Sequence, residues 1–146
     1  EIRRLAGDDL RLRVVGEVGD VDLGGCDGFE LLGPVDDLGP VLDQALVLVA
    51  PVPFAAGIPL KVVTAAAHGL PAVASSLLVR QLGWRDRVEI FDGGSEPATF
   101  AAAVVAAIAD RPAWERVQRG ALERVRASFA PAALRSAVAR SLGLAG

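Results

Sequence analysis

Lysine occurs once in this chain, at Lys61, and the other 14 of its 15 basic residues are arginine. An ammonium is a compact point charge and does not substitute for a guanidinium in a tight site. A lone lysine in an arginine-rich chain is therefore worth weighing for chemistry, although composition alone favours chance survival of one surface lysine. It closes the segment Ala50-Pro51-Val52-Pro53-Phe54-Ala55-Ala56-Gly57-Ile58-Pro59-Leu60-Lys61. Gly57 lets a backbone approach closely, and Pro59 suits a first helical turn, where its missing N–H costs nothing. The start of such a helix offers free N–H groups and the positive end of its dipole, which together bind anions. Lys61 falls in that first turn, and Thr64 follows one turn later on the same side. The set suits a diphosphate. As a bare motif it is unspecific, because a Gly/Pro loop before a helix is most often a turn. It is neither a G-x-x-x-x-G-K-[ST] loop nor a G-x-G-x-x-G dinucleotide fingerprint.

The other polar residues carry less. His68 precedes Gly69 at the far end of the same helix, where a histidine is favoured by the dipole and remote from the helix start. Cys26 lies among loop glycines and reads as inert. Glu17 and Asp92 are loop acids within reach of a ligand's hydroxyls, and Asp36-Asp37 is most simply a helix cap. No Ser/His/Asp triad can be assembled around the single His. One Cys rules out an internal disulfide, and one Cys with one His rules out a Cys/His zinc cluster. No carboxylate cluster marks a metal site, and no cofactor is implied.

The elements that must position these residues belong to one domain of 146 residues, long enough for a sizeable core. The net charge is −3 and the pI about 5.1, which argues against a nucleic-acid partner. A 52% apolar composition excludes disorder. The uncharged run 45–60 is broken by Pro51, Pro53, Gly57 and Pro59, and 62–79 by Gly69 and Pro71, so neither reads as a membrane span. No cleavable signal is visible, and the chain is expected in the cytoplasm.

Short apolar runs alternate with helical patterns, the signature of βαβ units and a parallel sheet. Residues 1–6 read as the end of a helix stopped by Gly7. Strands are expected at 10–15, before Gly16, and at 29–32, before Gly33. Asp36 is expected to cap a short helix with Leu38, Val41 and Leu42. The run 45–50 is apolar on both faces, so it is predicted as an interior, doubly covered strand flanked by 30–32 and 71–75. Helix 58–68, strand 71–75, a weaker segment through Trp84 and strand 87–91 follow. Three helices close the chain: one capped by Ser95 with Phe100, Val104, Ala107 and Ile108 inward; one from Pro112 with Trp114, Val117, Leu122, Val125 and Phe129 inward; and one from Pro131 carrying Leu134, Val138 and Leu142. Ligands of such sheets bind beyond the carboxyl ends of the strands. Those loops are Gly16-Glu17, Gly33-Pro34-Val35, Pro51 to Gly57, Ser75-Ser76 and Asp92-Gly93-Gly94.

In this order the motifs resemble those of retaining, GT-B fold glycosyltransferases of the group 1 type. The run from Gly57 through Lys61 and Thr64 to Gly69-Leu70-Pro71-Ala72-Val73-Ala74-Ser75 is similar to the family's G-x-x-x-K-v-x-E-A-x-A-x-G-x-P-V-V signature. Leu31-Leu32-Gly33-Pro34-Val35-Asp36-Asp37-Leu38 and Ala45 to Pro51 resemble its flanks. Phe100-Ala101, Asp110, Trp114-Glu115, Ala121-Leu122 and Ser128-Phe129 follow its closing helices. The resemblance implies an α/β fold: a Rossmann-like, three-layer αβα domain with a parallel sheet, the carboxyl-terminal, donor-binding half of a GT-B enzyme. It places residues 1–146 in a single nucleotide-sugar-binding domain. Because the chain opens without Met on a helix end, at least one strand–helix unit is expected upstream, and the resemblance implies an amino-terminal acceptor domain before it.

By that analogy Lys61 is the catalytic cation, and Gly57 and Ile58 lie with it at the donor diphosphate. Gly33 and Val35 lie near the base, with Gly16 in the neighbouring loop. Thr64 stands where the family usually has the glutamate that holds the ribose, and Ala56 where a second glutamate is frequent. A Thr hydroxyl replaces at most one of the two hydrogen bonds of that carboxylate. The implied partners are a nucleoside-diphosphate sugar and an acceptor sugar or glycan read by the other half. A peripheral membrane location through parts outside this chain is compatible. Two other readings stay open: a GT-B-like binding or scaffold domain without catalysis, favoured by Thr64, and a sugar-nucleotide epimerase-like domain, which calls for more acids and a working His in the crevice.

Overall fold

The computed structural model describes residues 10–19 and 28–129, together with Ile2 and Arg135. Among them are five short strands and five helices, in the order β1 (Leu12–Val15), β2 (Phe29–Gly33), α1 (Gly39–Asp43), β3 (Leu48–Ala50), α2 (Leu60–Ala67), β4 (Ala72–Ala74), α3 (Ser76–Leu82), β5 (Phe91–Asp92), α4 (Pro97–Ala109) and α5 (Arg111–Phe129). Every named strand pairing is parallel. The strands form two ladders, β1-β2 and β3-β4-β5.

Alternation along the second ladder produces the layers, because successive strand residues face opposite sides. Leu48, Ala50, Ala72 and Ala74 face one side and pack with Val62 and Ala66 of α2, Leu78 and Val79 of α3, Trp84, Ile90 and Ala121. Val47, Val49, Val73 and Phe91 face the other and pack with Phe100, Val104 and Ala107 of α4 and Ala113 and Val117 of α5. Helices thus cover both faces, as expected of a Rossmann-like αβα domain. Helix α5 also closes on its neighbours through polar contacts. The Trp114 Nε1–H donates to the Leu46 carbonyl at 2.7 Å, and Gln118 Nε2 to the Gly69 carbonyl at 2.9 Å. At Gly120 the helix comes so near the 84–90 segment that an added Cβ would lie 2.0 Å from the Val88 carbonyl oxygen.

Several sequence expectations are corrected. The run 45–50 is covered on both faces as expected, but only 48–50 is strand, and it ends its ladder instead of lying inside it; the central strand is β4, buried throughout. Apolar residues on both faces report cover by helices, and an edge strand beneath two helix layers has the same composition. Segment 30–32 does not flank β3; it belongs to β2, which pairs with β1. The strand expected at 87–91 is confined to Phe91–Asp92, with one bridge from Asp86 to Ile90. The weak segment before it is a helix, α3, ended by Gly83 in the left-handed conformation at φ 63°.

Helix starts also differ. Asp37, not Asp36, uses its carboxylate at α1, accepting from the Gly39 N–H at 2.8 Å. Glu96, not Ser95, occupies the cap of α4 and makes no side-chain cap bond, because Pro97 already fixes the first turn. Helix α5 begins at Arg111, one residue before Pro112, and Asp110 caps it by accepting from the Ala113 N–H at 3.0 Å. Cys26, the expected helix over 131–142 and the expected helix end over 1–6, apart from Ile2, lie outside the described residues. No helix of the described residues is long and apolar enough to cross a membrane.

Candidate functional site

The loop after β3 runs from Pro51 to Pro59 and delivers the chain into α2. It leaves the sheet through a tight turn in which the Val52 N–H bonds back to the Ala50 carbonyl at 3.0 Å. Gly57 takes φ +76°, and a Cβ added there would meet open space, so what the position needs is the left-handed backbone itself. The helix starts at Leu60, with Pro59 as its cap residue and not inside its first turn. The Leu60 N–H is taken by the Ile58 carbonyl at 2.8 Å and the Val62 N–H by the Pro59 carbonyl at 2.9 Å. The Lys61 N–H between them finds no acceptor among the described residues.

Burial fixes the orientation of α2. Val62, Val63, Ala65 and Ala66 are buried, so Lys61, Thr64 and His68 fall along the outer stripe, with Gly57 exposed in the loop before it. Lys61 is exposed and meets no carboxylate among the described residues; Thr64 is half-buried one turn beyond it. His68 caps the opposite end, exposed, with its backbone N–H on the Thr64 and Ala65 carbonyls. The lip of the loop is apolar and open to solvent: Phe54 is 82% exposed, and Ile58 and Leu60 are also exposed.

The neighbouring loops at the carboxyl ends of β4 and β5 are tied together. Asp92 Oδ1 accepts from the Ser76 hydroxyl at 2.6 Å and from the Gly94 N–H at 2.9 Å, and the Gly93 N–H reaches the Ala74 carbonyl at 2.8 Å. Asp92 Oδ1 is thus engaged by Ser76 of α3 and by Gly94 of its own loop. A second tie runs from Ser75, whose hydroxyl donates to the Val52 carbonyl at 2.7 Å. Sequence reasoning placed these residues at the correct ends of their strands and missed the ties. The Ser-Ser pair between a strand and a helix was the available signal.

On the first ladder, Gly16 and Gly33 meet directly, the Gly16 N–H donating to the Gly33 carbonyl at 2.9 Å, both with positive φ. Val35 follows, exposed, and Glu17 is exposed as well. Local sequence therefore brings Gly57, Ile58, Lys61 and Thr64 together on one loop and helix, and strand pairing brings Gly16 and Gly33 together. No hydrogen bond among the described residues joins the two groups.

The candidate site thus lies on a Rossmann-like α/β domain of parallel strands, at a loop that leads from an apolar strand into a helix start. A family model described as glycosyl transferases group 1 matches residues 1–110, three quarters of the chain, and the chain belongs to that family. Among solved structures, the chain is similar to Anabaena HepE, crystallised in complex with UDP and glucose, with a TM-score of 0.74 and 18% identity. That match covers 91% of this chain and 40% of the Anabaena chain, so the present sequence spans two fifths of its structural relative. No curated protein matches the sequence.

Proposed function

We propose that this chain is the donor-binding half of a glycosyltransferase that moves a sugar from a nucleoside-diphosphate sugar to an acceptor with retention of configuration. The observation that carries the reading is the constellation after β3. A left-handed Gly57, an unpaired N–H in the first turn of α2 and the chain's one ammonium converge on a single exposed segment of a group 1 family member. The similar fold of a protein crystallised with UDP and glucose supports it.

In this reading the diphosphate lies over Gly57 and Ile58 against the helix start. Lys61 and the free N–H stabilise the negative charge that builds on the departing nucleoside diphosphate, a charge-stabilising contribution that grows toward the transition state. Gly16, Gly33 and Val35 line the approach of the base. Thr64 offers the ribose a single hydroxyl. An amino-terminal half binds the acceptor sugar or glycan, and the reaction takes place in the cytoplasm.

Calorimetric titration of the chain with UDP, GDP, ADP and dTDP tests this. Saturable binding of one of them is the expected outcome. Thr64 in the ribose position favours a second reading, a GT-B-like domain that binds or scaffolds without catalysis. Absence of binding to all four, with the protein folded, would decide for it.

A further inference from the structure

Ser75 stands where a serine ordinarily caps a helix. It precedes α3 with extended backbone at φ −60° and ψ 150°, the geometry in which a Ser hydroxyl accepts from the N–H groups of the first turn. It makes no such bond. Its hydroxyl instead donates across the sheet to the Val52 carbonyl at 2.7 Å, 23 residues earlier in the chain. Ser75 is only 6% exposed, so this contact is sheltered from water and holds its geometry.

The same residue grips the exit of β3 twice. Its backbone N–H donates to the Ala50 carbonyl at 3.1 Å, continuing the β3–β4 ladder one step past the named strands. Its side chain then takes the carbonyl two residues further along the turn, that of Val52. Between them these two bonds set the direction in which the chain leaves the sheet. What leaves is the loop whose left-handed glycine and following helix start carry Lys61. From Pro53 to Gly57 no backbone hydrogen bond among the described residues fixes the loop, so apart from Ala55, which packs against the core, its anchorage falls to its two ends. The far end is the Pro59 cap of α2; the near end is Ser75.

We propose that Ser75 is a positioning residue for the donor site: its hydroxyl forgoes a local helix cap to hold loop 51–57 in the course that presents Gly57 and Lys61 to a diphosphate. The proposal rests on the donor-binding reading of that loop. Ser75 itself touches no ligand; it acts through the Val52 carbonyl.

The test compares nucleoside-diphosphate affinity, by calorimetry at a temperature where every variant is folded, for the unmutated chain, Ser75→Ala, Ser75→Thr and Val117→Ala. Val117 is fully buried against α4 and β4 and away from the loop, so its truncation lowers thermal stability without touching the loop anchor. Ser75→Ala is expected to weaken binding about tenfold, the scale of one sheltered hydrogen bond. Ser75→Thr, which restores the hydroxyl, is expected to return affinity to within about twofold of the unmutated chain, well short of the loss of a whole hydrogen bond. Val117→Ala is expected to bind like the unmutated chain despite its lower melting temperature. Unchanged affinity in Ser75→Ala, equal losses in Ser75→Ala and Val117→Ala, or no recovery in Ser75→Thr would each overturn the positioning role alone. If the unmutated chain binds none of UDP, GDP, ADP and dTDP, the donor-site reading itself fails and the proposal falls with it.

Discussion

Lys61 carries the one full positive charge in the loop-and-helix segment 51–68. Its exposure leaves the ammonium free to take an anion, with no carboxylate among the described residues to neutralise it first. Lys61→Ala is expected to cost about 1.5–3 kcal/mol of nucleoside-diphosphate binding, the usual range for a hydrogen bond to a charged group, with no loss of fold. Titration calorimetry beside a thermal melt separates the two. Thr64 lies on the same stripe of α2. A carboxylate there offers a ribose diol two acceptors, so Thr64→Glu is expected to tighten binding of the preferred nucleotide. Unchanged or weaker binding in that variant would mean either a nucleotide pose unlike the family's or a crevice that binds no nucleotide, and titration of the unmutated protein separates the two. These positions were readable in the sequence because they are local: five residues fix the spacing of Gly57 and Lys61 whatever the rest of the fold does. The Ser75–Val52 and Ser76–Asp92 ties were not readable, because each joins partners 23 or 16 residues apart whose meeting depends on strand register.

Among elements, α5 is the one whose surface is cut to fit. Gly120 lies mid-helix, where glycine weakens a helix relative to alanine by about 0.5–1 kcal/mol. Propensity alone therefore favours Gly120→Ala. The added Cβ would meet the Val88 carbonyl at 2.0 Å, a backbone atom with little room to retreat. The substitution is expected to destabilise by about 1–3 kcal/mol, the range for overpacking, and chemical denaturation measures it. Arg116 reinforces the contact, its Nε–H donating to the Arg87 carbonyl at 3.0 Å, and Arg87 holds an unusual left-handed φ of 55°. The 84–90 segment is held from within by Glu89, whose side chain is 7% exposed while that of its partner Arg85 is 73% exposed. Glu89 accepts from the Arg85 N–H at 2.7 Å and from the guanidinium at 2.9 Å. Those hydrogen bonds from Arg85 hold the carboxyl below its ordinary value of 4.5, against the opposing effect of burial. The stabilisation is thus present above the unfolded-state pKa and lost as the pH falls through the lower folded value. Glu89→Gln is expected to lower stability at neutral pH by about 1–2 kcal/mol and to flatten its decline with acid, read from denaturation curves between pH 7 and 3. Helix α3 shows why some elements stayed hidden: seven residues with three leucines and a valine fit either period, and only the left-handed Gly83 marks a helix end.

At the scale of the molecule, the two ladders differ in how they are supported. The buried residues of both core clusters come from Ala50 onward, while β1 and β2 contribute none and leave Phe29 and Leu31 exposed. Hydrogen exchange is expected to follow that division. Amides of Val73 and Ala74 should exchange only on global unfolding, and those of β1 and β2 through smaller openings at much lower free energy. Equal protection in both ladders would show that they open as one unit. The αβα architecture itself was legible, because βαβ alternation and the two-sided apolar character of β3 and β4 depend on cover by helices, which composition records. Ladder order was not. Whether a strand is central or at an edge is decided by which segments pair with it, and β3 and β4 have the same kind of residues in either place.

The lone lysine has an analytical consequence. A lysine-specific endoprotease has a single side-chain target in this sequence, the Lys61–Val62 bond. That bond lies in the first turn of α2, and Val62 is wholly buried in the core beside Ala50 and Leu78. A protease needs an extended stretch of chain in its groove, so cleavage must wait until this helix start peels away from the sheet. Two fragments, cut after residue 61, would then appear at a rate that clocks the opening of the candidate phosphate-binding turn. A nucleotide held there would slow the clock.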